Sequence, residues 1–257
     1  MQKLAYEMQG LTWQARKKNQ QDAILFKNKV IYEKGRYSRL DQVAGNIPWH
    51  AAVADGIGSQ PNSDQAAIAV LEIINEYYQN NTPDIHLSYI QEALCLKLKA
   101  ESALNAGTTM ALIRHAAEDD QDLVRIQSLG DSRAYHFSYR LQKWKILTED
   151  DNFLNEMELS TWDQEQELAS IYDVLTGFFC VNAMHEVNEK QTLIYKAEPN
   201  DAFMVCTDGV FDAIPHEEWP LIAMSQSVTE WLKNFVEMLK PAAGDNISLV
   251  LVRAINS

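Results

Sequence analysis

Cysteines, positive charges and long apolar runs are all scarce in this sequence, and each shortage excludes a class of protein. The 257 residues include three cysteines, Cys95, Cys180 and Cys206, which are far apart and show no CxxC spacing. An odd, scattered set argues against a disulfide framework and against a structural zinc site. No apolar run approaches the roughly 18 residues of a membrane-spanning helix, and residues 1–19 lack the apolar core of a secretion signal. We therefore expect a cytoplasmic protein that has no membrane partner.

The shortage of positive charge bears on the partners. The chain has 22 Lys and Arg against 36 Asp and Glu, which gives a formal net charge of −14 at pH 7. Such a chain repels nucleic-acid backbones and anionic membranes, so we do not expect a nucleic acid as partner. The composition is otherwise ordinary for a globular protein, with 46% hydrophobic residues. A chain of this length can form one large domain, and we expect a single domain over residues 1–257.

The hydrophobic pattern predicts runs of strands that alternate with pairs of helices. The predicted strands cover about 20–26, 49–54, 108–115, 123–129, 133–137, 144–147, 192–196, 202–206 and 246–253. The predicted helices cover 62–80, about 90–103, 215–224 and 228–239. Helix pairs between runs of strands favour an α+β fold with antiparallel sheets covered by helices over alternating βαβ units. The last strand is expected to be central.

The segment 51–59 reads as an apolar strand that ends in an acid and a glycine-rich turn. Asp55 and Gly56 form an Asp-Gly pair, which commonly marks a hairpin turn. A hairpin needs a second alternating strand directly afterwards, and residues 60–65 cannot form one. Asp55 is therefore expected at a strand end that faces a loop, beside backbone carbonyls, which is a suitable place for a hard cation.

Three further aspartates stand beside a glycine at the end of a predicted strand: Asp131, Asp208 and Asp245. Taken singly, each is a common turn residue. Taken together, they indicate a site, because strand ends of one sheet system converge in space. Clustered carboxylates repel one another unless cations neutralise them, and oxygen ligands favour Mg²⁺, Mn²⁺ or Ca²⁺ over zinc.

These motifs, with three others, resemble a known family in their order along nearly the whole chain. They are NQQD (19–22), VADGIG (53–58), GTT (107–109), LGDSRA (129–134), LTED (147–150), CTDGVFD (206–212) and GDNIS (244–248). The set resembles the metal-dependent protein serine/threonine phosphatases of type 2C, in their bacterial form. The Gly-Asp-Ser-Arg and Asp-Asn-Ile-Ser segments are the specific ones, whereas either Asp-Gly alone is weak.

The resemblance implies a fold and an activity. The fold would be a four-layer α-β-β-α sandwich of two antiparallel sheets flanked by helix pairs, with a flap at about residues 150–190. The activity would be hydrolysis of phosphoserine and phosphothreonine in proteins by water that two Mn²⁺ or Mg²⁺ ions activate, with a possible third ion. Implied partners are phosphoprotein substrates and a cognate serine/threonine kinase, and the protein would act as a monomer.

The resemblance also implies residue roles. The implied metal ligands are Asp55, Gly56 through its carbonyl, Asp131, Asp208, Asp212 and Asp245. Asp55 would bridge two ions, Asp208 and Asp245 would hold the second, and Asp131, Asp208 and Asp212 match a weaker third site. Asp22 would orient the attacking water, which completes a catalytic set of Asp22, Asp55, Asp208 and Asp245. Asn246 would steady the Asp245 loop.

Three positions depart from the family's pattern. The basic phosphate-binding residue could be Arg16 or Lys17, depending on one residue of register, and Arg16 is favoured for its bidentate fork. Gln21 replaces the usual glutamate, which removes a negative charge near the metals. Ile57 stands where many eukaryotic relatives have a histidine proposed as general acid, so that protonation of the leaving alkoxide would fall to water.

Two other functions compete with this one. A pseudophosphatase would keep the fold as a regulatory binding module, but the intact Asp55, Asp208 and Asp245 favour activity. A two-metal phosphodiesterase or nuclease is disfavoured by the negative net charge and by the absence of basic and aromatic stripes.

Overall fold

The computed structural model describes residues 4–33, 37–43, 47–58, 60–80, 83–98, 103–118, 121–156 and 174–256. Their strands form two large antiparallel sheets. Sheet I contains, in spatial order, β10 (Lys143–Ile146), β9 (Arg133–Ser138), β13 (Ala202–Cys206), β14 (Ile247–Asn256), β1 (Leu4–Trp13) and β4 (Tyr37–Val43). Sheet II contains β12 (Leu193–Lys196), β8 (Gln121–Leu129), β7 (Met110–Glu118), β5 (His50–Asp55), β2 (Asp22–Phe26) and β3 (Lys29–Ile31). A third, two-stranded sheet joins β6 (Gly107–Thr108) to β11 (Phe179–Cys180).

Helices cover the outer face of each large sheet. The helices among the described residues are α1 (Ser63–Asn80), α2 (Leu87–Lys97), α3 (Phe153–Glu156), α4 (Asp208–Ala213) and α5 (Val228–Leu239). Apolar side chains of α1 and α2 pack on sheet II, and those of α5 pack on sheet I. A further core fills the space between the sheets, where Ile24, Val53 and Val250 are fully buried. This arrangement confirms the predicted α+β sandwich of two antiparallel sheets with helices outside.

The predicted central position of the last strand is confirmed, because β14 lies between β13 and β1. Its partner β1 was missed by the sequence analysis, which began the first strand near residue 20. The two strands pair in unbroken register from Leu4 opposite Asn256 to Trp13 opposite Ile247. The sequence did carry a signal for β1. Leu4, Tyr6 and Met8 stand at every second position, as residues on one face of a strand do, and all three are buried in the structure.

The predicted helix over 215–224 is wrong. The structure has only a 3-10 turn, His216–Glu218, and no helix follows it up to α5. Pro220 accounts for the difference: its ring disfavours helical backbone at the preceding residue, and Trp219 is indeed extended, with φ −68° and ψ 141°. Trp219 and Ile222 are nevertheless buried in the core, and their positions account for the apolar spacing that suggested a helix.

Helix α2 also ends earlier than predicted, at Lys97, where the following Leu98 is extended. The expected flap over 150–190 falls in part on residues 157–173, which lie outside the described residues. Among the helices that the structure describes, none combines the length and apolar character that crossing a membrane requires.

Candidate metal centre

One small cleft, of about 140 Å³, collects the strand ends of both large sheets. Asp55 ends β5 of sheet II, whereas Asp208 begins α4, one residue after the end of β13 of sheet I. Asp131 lies in the turn between β8 and β9, and Asp245 lies just before β14. The structure therefore brings together all four glycine-flanked aspartates, and we call this space the carboxylate cleft. Gly56 also lines it.

Asp22 lies behind the cleft, directly opposite Asp55 in the pairing of β2 with β5. Its side chain is buried, and the Thr207 hydroxyl donates a 2.8 Å hydrogen bond to its Oδ2 atom. Its Oδ1 atom has no hydrogen-bond partner among the described residues. Burial first, and then the charge of Asp208, raise the pKa of Asp22 to about 7. The Thr207 contact had no signal in the sequence analysis, since it joins residues far apart in the chain.

Burial and then mutual repulsion raise the pKa values of the aspartates in the carboxylate cleft. Burial and then the charges of Asp22 and Asp208 hold the pKa of Asp55 well above its usual range. Burial and then Asp208 raise the pKa of Asp131 to about 7. Burial and then Asp245 raise the pKa of Asp208. Such a group of carboxylates needs protons or cations to remain buried together.

The residues present fit divalent metal ions. The buried Oδ1 atoms of Asp22 and Asp208 lack hydrogen-bond partners among the described residues, and an all-oxygen donor set suits Mn²⁺ or Mg²⁺. In the part of the chain that the structure describes, no three acidic, histidine or cysteine side chains already converge on one point tightly enough to hold an ion. The aspartates instead surround a shared space, so that metal binding would draw their oxygens inward.

Backbone hydrogen bonds fix the loop that follows Asp55. The Asp55 carbonyl accepts from the Thr109 amide at 2.9 Å and from the Thr108 hydroxyl at 2.7 Å. The Ile57 amide donates to the Gly107 carbonyl at 2.9 Å. The Gly-Thr-Thr motif, which the sequence analysis quoted without a role, therefore anchors this loop.

Asn246 connects the start of β14 to the loop before β2. Its Oδ1 atom accepts from the Gln21 amide at 2.8 Å, and its Nδ2 atom donates to the carbonyls of Gln14 and Asn19, each at 3.0 Å. Because Asn246 adjoins Asp245, this network ties the loop 14–21 to one wall of the carboxylate cleft.

The two adjacent cations of that loop point in different directions. Lys17 lines the cleft, and its Nζ atom lies 2.7 Å from Oδ2 of Asp245. This hydrogen bond raises the pKa of Lys17. Arg16 instead donates through Nη2 to the Pro241 carbonyl at 2.9 Å and does not line the cleft. The structure thus places Lys17, and not the favoured Arg16, beside the aspartates.

Asp212 is the one predicted metal ligand that lies apart. It is on α4, one turn beyond Asp208, and its side chain is exposed and does not line the carboxylate cleft. Arg133, two residues after Asp131, makes a bidentate ion pair with Asp150, at 2.8 and 2.6 Å. This pair connects the turn that carries Asp131 to the LTED motif.

The turn before Asp131 is held by the base of the expected flap. Oδ2 of Asp151 accepts from the Gly130 amide at 2.8 Å, and its other oxygen pairs with Lys190. Leu175, from the same region, lines the carboxylate cleft. The described ends of the 150–190 segment therefore lie beside the site.

Comparison with known proteins places these observations in a family. The model of the family described as protein phosphatase 2C matches residues 38–250. The serine/threonine phosphatase stp of Listeria monocytogenes is 26% identical over 217 residues, which cover 78% of this chain and 82% of the relative. The corresponding phosphatase of Listeria welshimeri is 25% identical over the same shares.

Solved structures agree in fold. The catalytic domain of the serine threonine protein phosphatase PstP, in complex with two manganese ions, has a TM-score of 0.65 at 18% identity and covers 98% of this chain and 99% of its own. Stp1 from Staphylococcus aureus has a TM-score of 0.70 at 17% identity, with coverage of 97% and 95%. At these identities the likeness shows the fold alone.

Proposed function

This chain is a protein phosphatase of the protein phosphatase 2C family, and on that basis we propose that it hydrolyses phosphoserine and phosphothreonine in proteins through a binuclear Mn²⁺ or Mg²⁺ centre. The observation that carries the proposal is the gathering of Asp55, Asp131, Asp208 and Asp245, from both sheets, in one cleft. Two divalent ions supply an activated water and stabilise charge on the transferring phosphoryl group.

The proposed ligands would share two ions between them. Asp55 would serve both ions, with the Gly56 carbonyl on one side and with Asp208 and Asp245 on the other. Asp131, with Asp208 and Asp212, would hold a weaker third ion, for which the exposed side chain of Asp212 would have to turn inward.

Asp22 is proposed to orient the attacking water. Its Oδ2 atom is fixed by the Thr207 hydroxyl, and its Oδ1 atom is left as an acceptor on the wall behind Asp55. Asn246 supports the opposite wall by holding the loop 14–21 against β14.

Lys17 is the cation that the geometry favours for binding the phosphoryl group. It now pairs with Asp245, and neutralisation of that carboxylate by a metal would free its ammonium for phosphoryl oxygens. Arg16 keeps this role only if its guanidinium leaves the Pro241 carbonyl. Because Ile57 carries no ionisable group, the leaving alkoxide takes its proton from water.

We further propose that residues 1–257 form one catalytic domain with a flap over 150–190, and that the monomer reverses a serine/threonine kinase in the cytoplasm. The hydrogen bond of Asp151 with Gly130 and its ion pair with Lys190 support a position of the flap beside the carboxylate cleft. The three free cysteines suit a reducing compartment.

Purified protein tests the proposal directly. It should hydrolyse p-nitrophenyl phosphate and a phosphothreonine peptide with Mn²⁺, and EDTA should abolish both activities. Asp208→Asn should remove them, whereas the exposed, remote Glu230→Gln should not. Inactivity with every divalent metal, unchanged by Asp208→Asn, would favour the pseudophosphatase. Cleavage of DNA under the same conditions would favour the nuclease.

A further inference from the structure

A basic groove lies between the outer edges of the two large sheets. Strand β10 is the edge of sheet I, and β12 is the edge of sheet II. The groove between them has a volume of about 1020 Å³, and its exposed basic side chains are Arg140, Lys143, Lys145 and Lys196. They come from the turn after β9, from β10 and from β12, so three segments of chain converge on this basic groove.

The charge of the basic groove is not neutralised by its neighbours. Among the described residues, Arg140, Lys143 and Lys145 make no ion pair, and Lys196 has only the exposed Glu198, at 3.6 Å. The other acid of the groove, Asp201, is buried and already engaged by His136 and by the Tyr139 amide. Four of the chain's 22 basic residues thus create a positive patch on a protein of net charge −14.

Protection of a sheet edge explains only part of this arrangement. Lysines on an edge strand discourage pairing with other chains, which could account for Lys143 and Lys145. It could also account for Lys196 at the end of the edge strand β12, but not for Arg140, which lies in the turn between β9 and β10, nor for the convergence of basic side chains from both sheets on one groove. The groove also exposes Leu141, to 65%, beside these charges. An unpaired strand edge with basic and apolar side chains fits an extended acidic polypeptide.

The distance between the basic groove and the carboxylate cleft sets how many residues of the ligand separate its phosphorylated residue from its acidic segment. Asp131 lines the cleft, and His136 and Ser138 of β9, five and seven positions later, line the groove. At about 3.3 Å per residue, these separations are roughly 17 and 23 Å. An extended chain whose phosphorylated residue occupies the cleft therefore reaches the groove after about five to seven residues.

We propose that the basic groove docks an acidic segment of the phosphoprotein substrate that lies about six to ten residues from the phosphorylated one. The proposal rests on the phosphatase function above, because it assigns the second contact of the same substrate. The catalytic cleft would recognise the phosphoryl group, and the groove would select among phosphoproteins by the charge of their flanking sequence.

Peptide kinetics test the proposal. Three phosphothreonine peptides share the same residues around the phosphothreonine. The first has four acidic residues that begin eight positions from the phosphothreonine, and the second has them two positions from it. The third has glutamines in place of the acidic residues. The distant cluster should lower KM about 5-fold or more relative to the glutamine peptide, and the near cluster should not. The variant Lys143→Glu/Lys145→Glu should remove the advantage while p-nitrophenyl phosphate kinetics stay unchanged.

A matched control separates docking from net charge. Lys29→Glu/Lys233→Glu changes the net charge equally at exposed positions outside the groove and should keep the advantage. An equal loss in both double variants, or no preference for the distant cluster, would overturn the proposal.

Binding without turnover separates the groove from the chemistry. A fluorescent, unphosphorylated form of the distant-cluster peptide should bind the wild-type protein in EDTA, and the Lys143→Glu/Lys145→Glu protein should bind it at least about 5-fold more weakly. Failure of hydrolysis alone would count against the phosphatase function, and this measurement would still decide the groove. Lysine-dependent binding of RNA or of phosphatidylserine vesicles, without peptide binding, would overturn the proposal.

Discussion

The Nζ atom of Lys17 lies 2.7 Å from the Oδ2 atom of Asp245, across the mouth of the carboxylate cleft. The ammonium is thereby held beside the proposed metal ligands before substrate arrives. The preceding residue, Arg16, is turned toward the Pro241 carbonyl. The two adjacent cations thus have different partners: Lys17 faces the carboxylate cleft, and Arg16 contacts the segment between α5 and β14.

Lys17→Met is expected to raise KM for a phosphothreonine peptide roughly 10-fold or more, since a hydrogen bond to a charged group is worth about 1.5–3 kcal/mol. Arg16→Met should change KM less than about 2-fold, because it removes one surface contact. Steady-state kinetics at saturating Mn²⁺ measure both. Lys17→Arg should recover most of the loss, and a larger defect in Arg16→Met than in Lys17→Met would assign phosphate binding to Arg16.

Two glycines beside cleft aspartates should respond oppositely to alanine. A Cβ atom at Gly209 would lie 1.9 Å from the Asn246 carbonyl oxygen, whereas at Gly244 the nearest atom is 3.9 Å away. Gly209→Ala should therefore lower the free energy of unfolding by about 3 kcal/mol or more and weaken Mn²⁺ binding. Gly244→Ala should stay within about 0.5 kcal/mol of wild type. Urea unfolding and calorimetric Mn²⁺ titration measure these effects, and equal tolerance of both would contradict the close approach at Gly209.

Gln91 supports, through intermediate contacts, the loop that follows Asp55. Its side-chain amide donates to the Cys180 carbonyl at 2.7 Å and accepts from the Cys180 amide at 3.0 Å. Cys180 pairs with Gly107, whose carbonyl holds the Ile57 amide. Gln91→Leu should cost about 2–4 kcal/mol, because two buried backbone groups lose their partners, and should raise the Mn²⁺ concentration needed for half-maximal activity. The adjacent, exposed Glu92→Leu is the control. An unchanged Mn²⁺ requirement in Gln91→Leu would show that the effect is confined to stability.

Stability should depend on pH through His50. Burial lowers the pKa of His50 in the folded protein, where its ring contacts Asn75. Below about pH 6.5 the unfolded chain takes up a proton at this ring that the folded chain does not, so the free energy of unfolding falls as the pH falls. His50→Gln should remove this contribution, and the difference between wild type and variant should shift in favour of the variant from pH 7 to pH 5. Urea unfolding at several pH values measures it; parallel curves would show that the ring is protonated equally in both states.

Sequence patterns were reliable where the signal is local. The amphipathic spacing of α1 and the apolar runs of β5 and β13 predicted these elements, and the ordered motifs predicted the sandwich that both sheets form. The wrong helix prediction at 215–224 also has a local cause. The apolar spacing favoured a helix, although Pro220 disfavours one, and this spacing reflects the burial of Trp219 and Ile222 in a segment that is not helical.

Convergence of Asp55, Asp131, Asp208 and Asp245 could be anticipated from the sequence, because each follows or precedes a strand and strand ends meet at one edge. Tertiary structure alone decided which of Arg16 and Lys17 faces them, because side-chain direction depends on a turn whose register no pattern fixes. Tertiary structure alone also brought the Thr207 hydroxyl to Asp22, and Lys145 and Lys196 to one groove. Each of these pairs comes from segments far apart in the chain, and only strand pairing and the stacking of the two sheets set their relative positions.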